Sequence, residues 1–532
     1  MFLRVPLRRR TLTLTCQPES WQDSSPIVST EHRDNNVNDT PPYFFLENHS
    51  PVSCIPPELL VYIFELYVAH FGDLTPDGST PQGLSCLAQV CKRWRNIAES
   101  NPCLWTSIHF YFPESQRHQS HEKAVGPLLD LYLKRSGTLP ISLTFIDHRP
   151  YNITTKYLVL FLVDRLRAHA RRWKRISLHV TPICIPILLT FTLGDLSSLE
   201  RVCISSDTRV LPLHMHDYFF PFSLNLESAT NLKSFAYSGL CGTPQDIVLH
   251  WENLSEVSFA FPHLGSGRTL RYNLWHLSRC QNITTCSLGI EENTRPQLSG
   301  IQTIILPCLE TLRVRRLSRD AHACSAIDPL ILPQLHTLEI DASNLVIWNQ
   351  RWHDRNFSDL LARSGCSLLH LSIQNVDFPN NELVRCLALS PSLTSFRFIP
   401  CPRFQDINDI LQALDVTSLL LVPRLREIKL GSSVEACLEL MLAMFHSRAR
   451  ANTRAAGVAS LKRADVTFFD LWHDRDVQQL CVPGDRLGRV VSFQAELARW
   501  VSESRDESGQ EDMLEASMVV DSPYFPEYID VQ

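Results

Sequence analysis

The chain has 532 residues, of which 44% are hydrophobic and 20% charged, and a formal net charge of −6. That length exceeds a single compact core and points to several domains or one extended array. Residues 502–532 hold nine acids and only Arg505, a balance of −8, so residues 1–501 stand near +2 and lack the strongly basic surplus that nucleic acid requires.

Residues 1–50 mix Pro, Ser, Asn and Asp without periodicity and are expected to be disordered, with a linker at 35–42. Arg4, Arg8, Arg9 and Arg10 precede the first acid, Glu19, and fit a basic tail in preference to a mitochondrial-type presequence. From residue 53 the character changes. Pro56 and Pro57 stand where a helix tolerates proline, at its start, and Glu58 places a favourable charge in the first turn. Leu59, Leu60, Ile63, Phe64, Tyr67 and Val68 then recur at three and four residues, which predicts an amphipathic helix. Residues 72–83 contain two prolines and three glycines and predict a loop. Beyond it Leu84, Leu87, Val90, Cys91, Trp94, Ile97 and Ala98 restore helical spacing up to Asn101-Pro102. Three short helices with a thin core are the result.

The words Ile55-Pro56-Pro57-Glu58-Leu59-Leu60, Ile63-Phe64, Leu87-Ala88-Gln89-Val90-Cys91-Lys92-Arg93-Trp94-Arg95 and Pro102-Cys103-Leu104-Trp105 together resemble an F-box, in the variant abundant in fungal proteins. The likeness covers residues 53–108, about a tenth of the chain. Ile55 stands where leucine is more usual, and the 72–83 loop lengthens the gap after the first helix, which would move a surface loop. The resemblance implies docking on a Skp-family adaptor, and through it on a cullin-RING ubiquitin ligase. The adaptor-binding residues it implies are Ile55, Pro56, Pro57, Glu58, Leu59, Leu60, Ile63, Phe64, Leu87, Val90, Cys91, Trp94 and Trp105. Leu59, Ile63, Trp94 and Trp105 read equally well as the module's own core, so the two roles stay open for each of them. An exposed apolar surface on so small a module agrees with a partner.

Residues 109–155 read as a connector. From Trp173 to Leu430 one phrase, apolar-x-x-apolar-x-apolar, recurs ten times at intervals of 22 to 33 residues, as Trp173/Ile176/Leu178, Leu199/Val202/Ile204, Leu232/Phe235/Tyr237, Leu254/Val257/Phe259, Ile283/Cys286/Leu288, Leu309/Leu312/Val314, Leu335/Leu338/Ile340, Leu368/Leu371/Ile373, Leu393/Phe396/Phe398 and Leu425/Ile428/Leu430. Of the twenty residues flanking the second position of each phrase, the composition would make about nine apolar; only Cys203 and Ala236 are. That alternation belongs to strands with one buried and one wet face. The expected fold is therefore a small three-helix module followed by a curved, leucine-rich-repeat-like α/β solenoid of parallel strands over 156–470, α+β and α/β in class. Amphipathic segments at 157–173, 357–363, 381–389, 407–414 and 435–451 would form its outer layer. Leu461, Ala464 and Val466 suggest one more degraded unit; 471–501 reads as a C-terminal cap and 502–532 as an acidic disordered tail.

Seventeen cysteines without a C-x-x-C pair favour reduced thiols over disulfides or zinc. The longest apolar stretch, 183–193, is half a membrane span and is broken by Pro186. A soluble protein of the cytoplasm, the nucleus or both is expected, without membrane or nucleic-acid partners. Asn-x-Ser/Thr matches at Asn38, Asn48, Asn152, Asn253, Asn282 and Asn356 carry no weight without a secretory signal. No nucleotide or nucleophile-elbow motif occurs. His214-Met215-His216-Asp217 lacks a third placed ligand, and Trp-His-Asp-Arg at 352–355 and 472–475 suggests no mechanism. No catalytic residue, metal or cofactor is expected.

On the strand register the first half of the sheet's inner face offers Ser234, Ala236, Ser258, Ala260, Thr285, Ser287 and Gly289, and the second half Arg313, Arg315, Glu339, Asp341, Arg397 and Lys429. The charged set is the expected substrate-binding surface, against a merely solvated face. An F-box joined to such an array resembles the substrate-receptor subunits of ubiquitin ligases, which work by position. An interaction scaffold without a ligase role is the alternative.

Overall fold

A computed structural model describes residues 54–71, 84–112, 122–147, 160–161, 164–165, 167–180, 195–205, 223–238, 246–260, 268–290, 302–316, 327–341, 356–376, 378–400, 407–415, 421–433, 438–449, 458–459, 461–469 and 515–521. The chain divides into two units, Met1–Ile55 and Pro56–Gln532. Cys54 and Ile55 are the described part of the first; all elements below belong to the second. The expected 1–50 segment, the 72–83 loop, the 471–501 cap, the His214–Asp217 histidines and both Trp-His-Asp-Arg words lie outside the described residues.

Three helices come first, α1 (Pro57–Phe71), α2 (Leu84–Val90) and α3 (Lys92–Ser100). Helix α3 starts where the extended Cys91 accepts the Trp94 N–H on its sulfur at 3.4 Å. It stops at Asn101, which Pro102 forces out of helical geometry while the Asn101 amide caps the Ile97 carbonyl at 2.6 Å. A 3-10 turn, Pro102–Trp105, closes the module.

Strand β1 (Ser107–Phe112) begins two residues after Trp105, followed by α4 (Glu122–Arg135), β2 (Ile141–Asp147), β3 (Trp173–His179) and β4 (Arg201–Ser205). Next come β5 (Ser223–Asn225), β6 (Ser234–Ser238), β7 (Asp246–Val248), β8 (Glu256–Ala260), α5 (Arg268–Leu277) and β9 (Thr285–Ile290). Then follow β10 (Ile304–Ile305), β11 (Thr311–Arg316), β12 (Leu330–Ile331) and β13 (Thr337–Asp341). The last part alternates regularly: α6 (Asn356–Ser364), β14 (His370–Gln374), α7 (Asn380–Ala388), β15 (Ser395–Ile399), α8 (Asn408–Leu414), β16 (Glu427–Ser433), α9 (Leu438–Ala449), β17 (Arg463–Phe469) and β18 (Glu515–Asp521).

Fourteen of these strands form one sheet in sequence order, β1-β2-β3-β4-β6-β8-β9-β11-β13-β14-β15-β16-β17-β18. Neighbours pair in parallel throughout. The four short strands pair separately, β5 with β7 and β10 with β12. Large parallel sheet and connecting layer together have the build of an α/β solenoid. All ten phrases land in it. Their second residues form one continuous in-register row from Ile176 to Ile428. Of the thirty apolar positions only Leu178 is half-buried; the rest are buried. Each such large side chain contributes about 1.5–3 kcal/mol by leaving water.

Backbone geometry sets the register. In nine of the ten phrases the residue after the first apolar position offers its carbonyl to two successive N–H groups of the next unit: Glu200 accepts from Lys233 and Ser234, at 2.9 and 3.1 Å. The same fork recurs at the carbonyls of Lys233, Ser255, Thr284, Glu310, His336, Leu369, Thr394 and Arg426. Side chains add to it in the middle of the array, where the Asn231, Asn253 and Asn282 amides donate to the Ser197, Thr230 and Glu252 carbonyls at 2.6, 3.1 and 2.8 Å. Arginines staple the outer layer. Arg363 reaches Leu330 and Ile327 carbonyls at 2.8 and 2.6 Å; the buried Arg448 reaches those of Leu414 and Val422 at 2.7 and 3.0 Å. Desolvation first of all lowers the Arg448 pKa to about 10, while Asp415 opposes the shift. Gly365, at φ 58°, ends α6 in the left-handed conformation and donates to the Leu361 carbonyl at 3.0 Å.

The structure departs from the sequence reading at both ends. Residues 109–155, read as a connector, supply most of β1, all of α4 and all of β2, and the sheet starts there. The repeated phrase is present in β1 as Trp105/Ile108/Phe110, whose last two residues align in register with Leu143 and Phe145, and in β2 a proline, Pro140, takes its leading position. Residues 515–521, inside the expected disordered tail, pair with β17 from Arg463↔Glu515 to Phe469↔Asp521. The 157–173 segment ends in a 3-10 turn, Ala170–Arg172, and Trp173 opens β3. Segments 357–363, 381–389, 407–414 and 435–451 correspond to α6 to α9.

Aromatic rings cluster around β6 and β8, where Phe235, Trp251 and Phe259 pack at 6.1–6.4 Å between ring centroids. His276 stacks on Trp251 at 4.2 Å, buried, with neither ring nitrogen hydrogen-bonded. Desolvation, helped by Arg279, lowers its pKa to about 4.

Two measurements follow. Asn253→Ala is expected to lower the unfolding free energy by about 1 kcal/mol, the net worth of one hydrogen bond, read by chemical denaturation. His276 is neutral when folded and accepts a proton more readily when unfolded, so its contribution is complete above pH 6.5 and is lost as pH falls towards 4. His276→Phe should flatten that part of the stability–pH curve, by roughly 3 kcal/mol at full shift.

Candidate functional site: an exposed helical face and an open sheet face

Helix α1 is apolar on two sides. Leu60, Phe64 and Val68 point into the module and are buried with Leu84, Leu87, Ile97, Ala98, Leu104 and Trp105. Leu59, Tyr62, Ile63 and Leu66 occupy the other side, three and four residues apart, and with Val90 at the end of α2 they are 44% to 60% exposed. Sequence reading missed Tyr62 and Leu66. The signal was present, because a helix apolar on nearly every side in so small a module cannot hide all of it.

The thirteen predicted adaptor contacts thus fall into two groups. Pro56, Pro57, Glu58, Leu59, Ile63, Val90 and Cys91 are exposed, and Ile55 is half-buried. Leu60, Phe64, Leu87 and Trp105 are core. Trp94 is half-buried with its ring 5.0 Å from that of Phe64. Trp105 ties the module to the array: its indole N–H donates to the Ala98 carbonyl at 2.8 Å, its ring meets Tyr132 of α4 edge-on at 4.9 Å, and the Arg135 guanidinium lies over it at 4.4 Å. Arg135 also pairs with Glu99 at 3.1 Å. Burial raises the Tyr132 pKa to about 12, so the phenol stays neutral at this junction.

The open face of the sheet is the second surface. Arg313, Glu339, Arg397 and Lys429 lie in one register row, with Ser372 between Glu339 and Arg397; Arg315 and Asp341 lie two residues further along β11 and β13. Arg313 and Glu339 neutralise each other at 2.8 Å. Arg397 and Lys429 stand directly opposite one another on β15 and β16. The first half of this face is less neutral than its serines suggest. Arg201 reaches past the short Ser234 to pair with Glu256 at 2.8 Å, two strands away. Among the described residues no group of three or more His, Cys, Asp or Glu side chains could hold a metal ion. No described helix is long and apolar enough to cross a membrane.

Residues 52–111 match the F-box-like family model. The matched F-box-like segment spans α1, α2, α3, the 3-10 turn and all of β1 but its last residue. No curated protein matches the chain.

The two sides of α1 make opposite predictions for stability. Leu60→Ala or Trp105→Ala should cost about 2–5 kcal/mol through lost burial and the cavity left. Leu59→Ala or Ile63→Ala should stay within about 0.5 kcal/mol. Denaturant titration of each variant reads the difference.

Proposed function

We propose that the chain is a substrate-receptor subunit of a Skp-cullin-F-box ubiquitin ligase. The observation that carries this reading is the coincidence of the F-box-like match with an exposed apolar helix face: Leu59, Tyr62, Ile63 and Leu66 lie within residues 52–111 and are 44% to 59% exposed. An apolar patch of this kind marks an interface, and in F-box proteins generally the partner is the Skp-family adaptor. Leu60, Phe64, Leu87 and Trp105 hold that surface in shape from beneath.

The leucine-rich-repeat-like array then presents the open face of its sheet to a protein substrate, with Arg313, Arg315, Glu339, Asp341, Arg397 and Lys429 as the selecting charges. Such extended repeat faces suit protein ligands, and complementary charge governs specificity and encounter. The chain breaks no bond itself. It acts by raising the effective concentration of the substrate's lysines near a ubiquitin-charged enzyme held elsewhere in the complex, in cytoplasm or nucleus.

Co-purification with a recombinant Skp-family adaptor tests the reading. Wild type should bind, and Ile63→Asp/Leu66→Asp should weaken binding at least tenfold with an unchanged melting temperature. Equal binding by both proteins, or none by wild type, favours a repeat scaffold without a ligase role.

A further inference from the structure

The charges of the open face do not cancel evenly. Along the row that includes Arg313, the order by strand is Arg313, Glu339, Ser372, Arg397, Lys429 and Asp465. Arg313 spends its charge on Glu339 at 2.8 Å, and Asp465 is engaged by Arg463 at 3.0 Å. Arg397 and Lys429 are left side by side on paired strands, about 5 Å apart at the backbone. Neither makes a hydrogen bond or ion pair with any described residue, and the Arg397 Nε is buried without a hydrogen-bond acceptor. Two like charges directly opposite one another in a sheet destabilise it. Desolvation, then Arg397, lowers the Lys429 pKa, while Asp465, its register partner on β17, opposes the shift.

We propose that Arg397 and Lys429 form the docking site for an acidic protein segment, whose carboxylates lie across β14 to β16 on the open face. Arg397 presents a planar fork suited to one carboxylate, and Lys429 a point charge suited to a second. Ser372 and Gln374, joined to each other at 3.0 Å on β14, supply neutral hydrogen-bonding groups beside them. The pair of charges is short. Glu339 on one side and Asp465 on the other bound it along its own row, and Glu427 lies two residues from Lys429. A continuous phosphate backbone would run into those acids, whereas a peptide with two or three closely spaced carboxylates fits between them. That this segment belongs to a ligase substrate rests on the function proposed above; the site itself rests on the charges alone.

The test is fluorescence anisotropy with a labelled octapeptide of alternating glutamate and serine, titrated with the full-length protein. Wild type should bind it, bind an otherwise identical lysine–serine peptide at least tenfold more weakly, and lose affinity as salt rises. Arg397→Gln/Lys429→Gln should weaken binding of the acidic peptide at least tenfold, and Arg171→Gln, at an exposed arginine before β3, less than twofold. Arg397 and Lys429 are on the wet face, and the comparison of peptides on wild type needs no variant. No binding by wild type at millimolar protein, equal binding by the double variant, or tighter binding of an eight-base oligothymidylate than of the acidic peptide would each overturn the proposal. Adaptor co-purification on the same preparations separates the two ideas. If the adaptor binds and the peptide does not, the acidic-segment site falls and the ligase reading stands; if the peptide binds and the adaptor does not, the reverse holds.

Discussion

The structure depends on a backbone fork repeated from unit to unit. One carbonyl, at the residue after the leading apolar position, receives two N–H groups from the unit that follows. A parallel ladder alone would tolerate a slip, yet a slip of one residue would turn every leucine of a unit towards water and every charge inwards. The fork pins the corner of each unit before the strand begins, so the strand enters with its apolar residues already facing the core. The buried rows then follow, and each unit's apolar face is covered by its neighbours in the series.

This explains which features the sequence announces. The ten central strands were legible because the fork and the strand after it need the same eight or so residues every time, and apolar–polar alternation exposes them. Their spacing of 22 to 33 residues is irregular because only that corner is fixed; the return path is free to be a helix, as in α6 to α9, or a two- or three-residue strand, as in β5, β7, β10 and β12. The ends were not legible in the same way. Trp105/Ile108/Phe110 carries the phrase within the matched F-box-like segment, and Pro140 takes its leading position in β2. Glu515–Asp521 sits among acids that, by composition, argue against any ordered element.

For the candidate surfaces, residue type was readable and direction was not. Leu59 and Leu60 are adjacent and chemically identical, yet one is exposed and the other buried, because successive helix positions differ by about 100°. Trp105 and Val90 show the same limit from opposite sides: the large aromatic is core, and the aliphatic residue is wet. On the sheet the period of two fixes direction, and all six charged residues share one face of the sheet. Their pairing was the hidden part, since Arg313 and Glu339 engage each other while Arg397 and Lys429 do not.

Thr106 is the sole residue between the turn that closes the helical module and the first strand of the sheet. Its carbonyl is itself taken by the Ser142 N–H at 2.8 Å, and Trp105 before it is clamped by Tyr132 and Arg135. The junction therefore works as a weld, with no swivel where one would ordinarily be placed. Whatever grips the outer side of α1 inherits a fixed bearing on whatever rests against the sheet, and the number of strands between them acts as a ruler.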